Sequence, residues 1–121
     1  MLSLVGFLSF ACTKDNKEDL LAGQQPLGQI DSCSTDNMSY KDDIRNILTQ
    51  NCATSGCHAG PNGNGGLDLN TYTSAQRIAV DGELVGRIEN TNGPLMPPGG
   101  KLSACDIDKI KAWIAAGAPN N

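Results

Sequence analysis

Two thiols and an imidazole fall within one short run: Cys52-Ala53-Thr54-Ser55-Gly56-Cys57-His58. Such a trio has three chemistries open to it. It can contribute ligands to zinc, or its thiols can cycle between dithiol and disulfide. Alternatively, the thiols can reach the two vinyl groups on one edge of a porphyrin while the adjacent imidazole turns under the plane to ligate iron. Haem attachment usually leaves two residues between the cysteines, and here four intervene. The longer spacer must bulge, and Ser55-Gly56 permits that because glycine takes backbone angles closed to other residues. His58 is the only histidine in the chain. A zinc site takes four ligands, so this trio needs distant partners to make one. A redox dithiol favours two intervening residues near a strand-to-helix junction. The pattern points to one covalent haem c, bound through Cys52 and Cys57 with His58 on its iron. Zinc and a structural disulfide remain beside it.

Iron in a low-spin electron-transfer site takes a sixth ligand, and beyond the first residues only Met38 and Met96 offer a thioether. Met96 lies in Asn92-Gly93-Pro94-Leu95-Met96-Pro97-Pro98-Gly99-Gly100, a proline-stiffened stretch with little entropy left to lose on ligation. A methionine is more often packing, but this stretch is otherwise polar and kinked. Met38 lies on the other side of the motif. Met96 is therefore the expected partner of His58 on the metal.

The elements that must position these residues are helical. Residues 39–51 place Ile44, Ile47 and Leu48 at helical spacing, with Ser39 as N-cap and Asp42 and Asp43 in the first turn, where the helix dipole favours them. Extending that stripe by one turn reaches Cys52. Residues 59–66 are loop by any turn rule. A short helix is expected over 73–80, capped by Thr73 or Ser74, while 84–88 is too short to assign. Residues 90–101 must be irregular. The last helix opens on Ser103 and Asp106, an acidic variant of the capping box, and runs with Ile107, Ile110 and Ile114 in one stripe beside Trp113. Gly117 and Pro119 stop it.

The bulk properties agree with a small exported domain. The chain has 121 residues, enough for one compact domain, with 39% hydrophobic and only 4% aromatic residues. So thin a core suits a flat apolar cofactor in the interior. The net charge of −4 comes without a basic stripe, which argues against nucleic acid as a partner. Residues 1–11 are apolar up to Cys12 and a polar run comes next, as in an export signal; no Lys or Arg precedes the apolar core, so the start reads as truncated or misplaced. Leu8-Ser9-Phe10-Ala11-Cys12 reads as the site where a bacterial signal is removed and Cys12 takes a lipid. Residues 12–38 then form a flexible tether, and 39–121 the folded domain. From Cys12 to Cys33 the chain reaches about 25 Å as a coil and about 70 Å extended. In an oxidising compartment Cys33 and Cys105 are free to bridge, pinning the N-terminal segment to the last helix.

From residue 39 onward the chain resembles the small single-haem cytochrome c domains of bacterial lipoproteins, especially those of Bacteroidetes-type bacteria. The residues that carry the resemblance are Asp43-Ile44-Arg45-Asn46-Ile47-Leu48 running to Asn51-Cys52, then Cys57-His58, Gly66-Leu67-Asp68-Leu69, Leu95-Met96-Pro97, and the ending Lys111-Ala112-Trp113-Ile114-Ala115-Ala116-Gly117-Ala118-Pro119. It implies an all-α, cytochrome c-like fold whose N- and C-terminal helices pack beside one haem, with a loop-rich middle. It also implies His58 and Met96 as axial ligands. The function expected is electron transfer between redox partner proteins, without enzymatic activity, at a periplasm-facing membrane anchored through Cys12. The alternative is a haem c enzyme or sensor with an open sixth position, for which Arg77 or Arg87 would have to serve as the distal group.

Overall fold

Ser39 starts the first helix from both sides of its own backbone. Its Oγ accepts from the Asp42 N–H (3.2 Å), and the Asp43 carboxylate accepts from the Ser39 N–H (2.9 Å), a reciprocal cap. The Ser39 carbonyl accepts from both Asp43 and Ile44 N–H groups, each at 3.1 Å. That doubling widens the first turn, so Tyr40–Ile44 is a π-helical turn running directly into α1, Arg45–Asn51. Tyr40, Ile44, Ile47 and Leu48 are buried along one face, and the Cys52 N–H closes the last turn on the Leu48 carbonyl at 2.8 Å.

In this computed structural model the described residues are 33–121, the unit Cys33–Asn121. The expected signal, the lipid site at Cys12 and the tether as far as residue 32 lie outside the described residues. A short 3-10 turn, Asn64–Gly66, interrupts the loop after His58. Helix α2, Tyr72–Val80, is capped by Thr71, whose Oγ1 accepts from the Ser74 N–H. The cap therefore lies two residues before Thr73, because Thr71 alone keeps the extended backbone an N-cap needs (φ −106°, ψ 142°). Gly82, at φ +80°, turns the chain into α3, Glu83–Ile88. The last helix, α4, spans Ala104–Ala115, with Ser103 Oγ accepting from the Asp106 N–H.

Helix α2 packs on α3, α3 on α4, and α4 on the Tyr40–Ile44 turn. The described residues contain no strand, so the class is all-α with its first and last helices in contact. Fully buried Trp113, Ile44, Leu48, Ile88 and Ile110 form the centre. Trp113 replaces Ile114 as the inward member of the α4 stripe; Ile114 is only half-buried. Among the described residues, no helix is long and apolar enough to cross a membrane.

A disulfide joins Cys33 to Cys105 at the start of α4, with Cα atoms 5.5 Å apart. It closes a segment of 72 residues, which on chain-entropy grounds stabilises by about 4 kcal/mol. With Cys33 bridged and Met38 buried, the folded unit takes in residues 33–38 as well.

Candidate functional site

The spacer between the two thiols is a closed loop. The Cys57 N–H donates to the Thr54 carbonyl (3.0 Å) and the His58 N–H to the Cys52 carbonyl (3.1 Å). Gly56 makes the bulge, at φ +79°. Two further bonds tie this loop to the segment 64–69: the Asn64 N–H donates to the Cys57 carbonyl at 2.8 Å, and the Leu69 N–H to the His58 carbonyl at 2.9 Å. Gly63 allows this fold-back, since a Cβ there would collide with the Leu67 carbonyl oxygen and come within 3.2 Å of the His58 backbone.

His58 Nδ1 lies 2.9 Å from the Asn64 carbonyl oxygen. A carbonyl only accepts, so Nδ1 carries a proton, and in the neutral imidazole Nε2 is then the nitrogen that offers a lone pair. That is the arrangement of a metal-ligating histidine, whose second nitrogen is tied to a carbonyl or carboxylate that sets tautomer and ring orientation. Asn64 adds a brace by donating from Nδ2 to the Gly56 carbonyl (2.9 Å).

Cys52, Cys57, His58 and Met96 all line one cavity of about 440 Å³, a size at which small cofactors bind. Its wall is otherwise largely apolar, with Leu67, Leu69, Ile78, Leu84 and Ile88, while Arg77, Glu83 and Arg87 bring charge. Met38 lies in the core and does not line the cavity. Of the two candidate thioethers, only Met96 lines the cavity that His58 lines. Cys52 is buried, whereas Cys57, His58 and Met96 are half-buried.

Compared with known proteins, the chain matches no family model, no curated protein and no solved structure.

The geometry bears on each of the three chemistries. Among the described residues, no three His, Cys, Asp or Glu side chains converge on a point that would hold one metal ion. The two thiols and the imidazole therefore share a cavity without sharing a ligand sphere, which a tetrahedral zinc site requires. Both thiols are free rather than bridged to each other. Burial, and then the neighbouring Cys57, push the Cys52 thiol up to about 11. A redox dithiol needs the opposite, a thiol lowered toward neutrality. Thioether attachment asks that two thiols and an imidazole face one cavity, and Cys52, Cys57 and His58 line one.

Sequence reasoning passes over Asn64 and Gly63. Asn64 acts through its main-chain carbonyl, which no side-chain pattern marks. Gly63 sits in a run with three other glycines, Gly60, Gly65 and Gly66, so its close approach to His58 has no separate signal.

Proposed function

We propose that the chain is a mono-haem c-type cytochrome that transfers electrons and catalyses no bond-making reaction. The observation that carries this reading is the apolar cavity lined together by Cys52, Cys57, His58 and Met96. Cys52 and Cys57 would each add sulfur and hydrogen across one vinyl group, a step that exchanges no electrons with any third party. His58 would ligate through Nε2 while Asn64 holds its Nδ1–H. Met96 would take the sixth position. Bound there, haem supplies a one-electron couple, and His/Met ligation raises its potential relative to other axial sets. The apolar wall would shield the group from water, and Arg77, on that wall, would offer a cation to its acid side chains.

First and last helices in contact, with a cavity lined by both helices and loops, are consistent with a cytochrome c-like arrangement. The Cys33–Cys105 disulfide supports an oxidising compartment, in keeping with export and anchoring through Cys12. One-electron donor and acceptor proteins are the partners this implies.

Arg77 and Arg87 both reach the cavity wall, and that keeps the enzyme or sensor with an open sixth position as the second reading. Two measurements decide. Matured in a host with haem c assembly, the protein should keep its haem through acidified-acetone extraction, and Cys57→Ser should weaken that retention. Wild-type iron should be six-coordinate and low-spin in both redox states, whereas Met96→Ala should give five-coordinate ferrous iron that binds carbon monoxide readily. Haem washing out of the wild type would end the cytochrome reading. Ready carbon monoxide binding by the wild type would favour the open-site one.

A further inference from the structure

The turn that delivers Met96 is built on α3. The Thr91 and Asn92 N–H groups donate to the Gly86 carbonyl at 2.8 and 3.1 Å, and the Met96 N–H donates to the Arg87 carbonyl at 3.1 Å. The turn lies directly on the helix, for a Cβ on Gly86 would come within 2.5 Å of Asn92 Cβ. Gly93 meets α3 from the other side. It sits at φ +93°, and a Cβ there would lie 2.9 Å from Arg87 Nη1 and 3.0 Å from Arg87 Cζ. The Arg87 guanidinium thus lies against the backbone of the turn while the carbonyl of the same residue holds Met96. One helical turn back, Glu83 Oε1 lies 3.5 Å from Arg87 Nη2 and restrains the other edge of the guanidinium. An ion pair this exposed contributes little stability. Its location matters more, because Glu83, Arg87 and Met96 line the same cavity.

We propose that Arg87 is a positioning residue for Met96: its guanidinium, seated on Gly93 and held by Glu83, keeps the 91–96 turn on α3 so that the thioether stays at the sixth position. The inference rests on the haem reading and deepens it. Without the guanidinium the turn keeps its backbone bonds but gains freedom, and Met96 spends a larger fraction of time away from the iron. A competing ligand binds only in that fraction, so its apparent affinity rises in proportion. A planar fork suits this seat better than an ammonium does, so Lys at this position should restore the behaviour in part.

The test uses the haem-loaded protein and imidazole as the competing ligand. In Arg87→Gln the haem should remain covalently attached at wild-type stoichiometry. The long-wavelength sulfur-to-iron band of the ferric protein should weaken, and imidazole should bind about tenfold tighter, which corresponds to 1.4 kcal/mol of Met96 restraint. Arg87→Lys should fall between the two. Gly93→Ala should loosen Met96 in the presence of Arg87 and do so much less in an Arg87→Ala background, a coupling that backbone strain alone would not produce. This cycle also serves if Arg87→Gln fails to accumulate. Full haem content with wild-type imidazole affinity in Arg87→Gln, or additive effects in the cycle, would overturn the inference and leave the cytochrome reading standing. A wild type that retains no haem would overturn both.

Discussion

The Trp113 side and the His58 side of the domain are held together by different means. Around Trp113, side chains do the holding. The Tyr40 ring lies 5.8 Å from Trp113 and 5.0 Å from Tyr72. Trp113 Nε1 donates to the Pro119 carbonyl (2.9 Å) and the Tyr72 hydroxyl to the Ala118 carbonyl (2.8 Å). Asn121 joins this clamp, its side-chain oxygen accepting from the Tyr40 N–H and its main-chain oxygen from Lys41 N–H and Ser39 Oγ. Around His58 the main chain does most of the holding, through carbonyls of Cys52, Cys57, His58 and Asn64 and through glycines at positive φ, with the Asn64 amide and the Asp68 carboxylate bonded to that main chain. The difference separates two tasks. A clamp of packed side chains stabilises but commits those side chains to each other. A loop braced by its own backbone leaves the tips of Cys57, His58 and Met96 free to face a cavity.

This division predicts where the largest loss should fall. Trp113 is fully buried, so Trp113→Ala removes an aromatic core and its bond to Pro119. The cost should be about 3–5 kcal/mol, a large part of the stability of a domain this small. His58→Ala in haem-free protein changes a half-buried side chain with one hydrogen bond and should cost about 1 kcal/mol. Urea denaturation of both variants checks the ranking. Equal losses would mean that the two sides fold as one interlocked core and that the contrast is false.

Much of this arrangement is legible in the sequence, and the reasons are local. Ser39 and Ser103 act within four residues of themselves, so their caps can be read directly. Cys33, Cys105, Cys52, Cys57, His58 and Met96 are chemically distinctive and few, so grouping them requires no fold; the cavity gathers the last four. The Thr71 cap is not legible, because Thr71, Thr73 and Ser74 are equivalent by residue type and only the backbone angle of the preceding loop distinguishes them. Periodicity sets Trp113 beside the α4 stripe rather than at its centre, because it does not say which of two adjacent residues meets Tyr40. The seat of Arg87 on Gly93 depends on how a turn folds back onto its own helix, and residue types alone do not report that.

A smaller effect, of opposite sign, is expected on the Trp113 side. The Tyr40 hydroxyl is the one buried side-chain polar atom among the described residues without a hydrogen-bond partner, and burial, as the leading cause, raises its pKa. Leaving such a group unpaired costs free energy. Tyr40→Phe keeps the ring between Tyr72 and Trp113 and deletes that hydroxyl, so stability should rise by about 1 kcal/mol. A loss of similar size in the same urea titration would show that the hydroxyl is paired, and the clamp would then include a polar contact at its centre.

The smallest effect belongs to Asp68, on the His58 side. Its Oδ1 accepts from the Asn70 N–H (3.1 Å), the Gly60 N–H (3.0 Å) and the Asn70 side-chain amide (3.1 Å). The backbone bonds from Asn70 and Gly60 hold the carboxyl below its usual range. A carboxyl depressed in the folded state stabilises fully above its unfolded value of about 3.9 and loses that contribution as pH falls through the folded value. Wild-type stability should therefore decline on acidification more steeply than that of Asp68→Asn, which keeps an acceptor oxygen but cannot titrate. The two curves should separate above about pH 4 and converge below it. Protection of the Gly60 and Asn70 amide protons, taken against their intrinsic exchange rates at each pH, should fall over the same interval, reporting the loop that Asp68 braces rather than the whole domain. Curves that stay parallel into acid would mean that the backbone around His58 holds its shape without this carboxylate, leaving the Asn64 and Leu69 bonds as its braces.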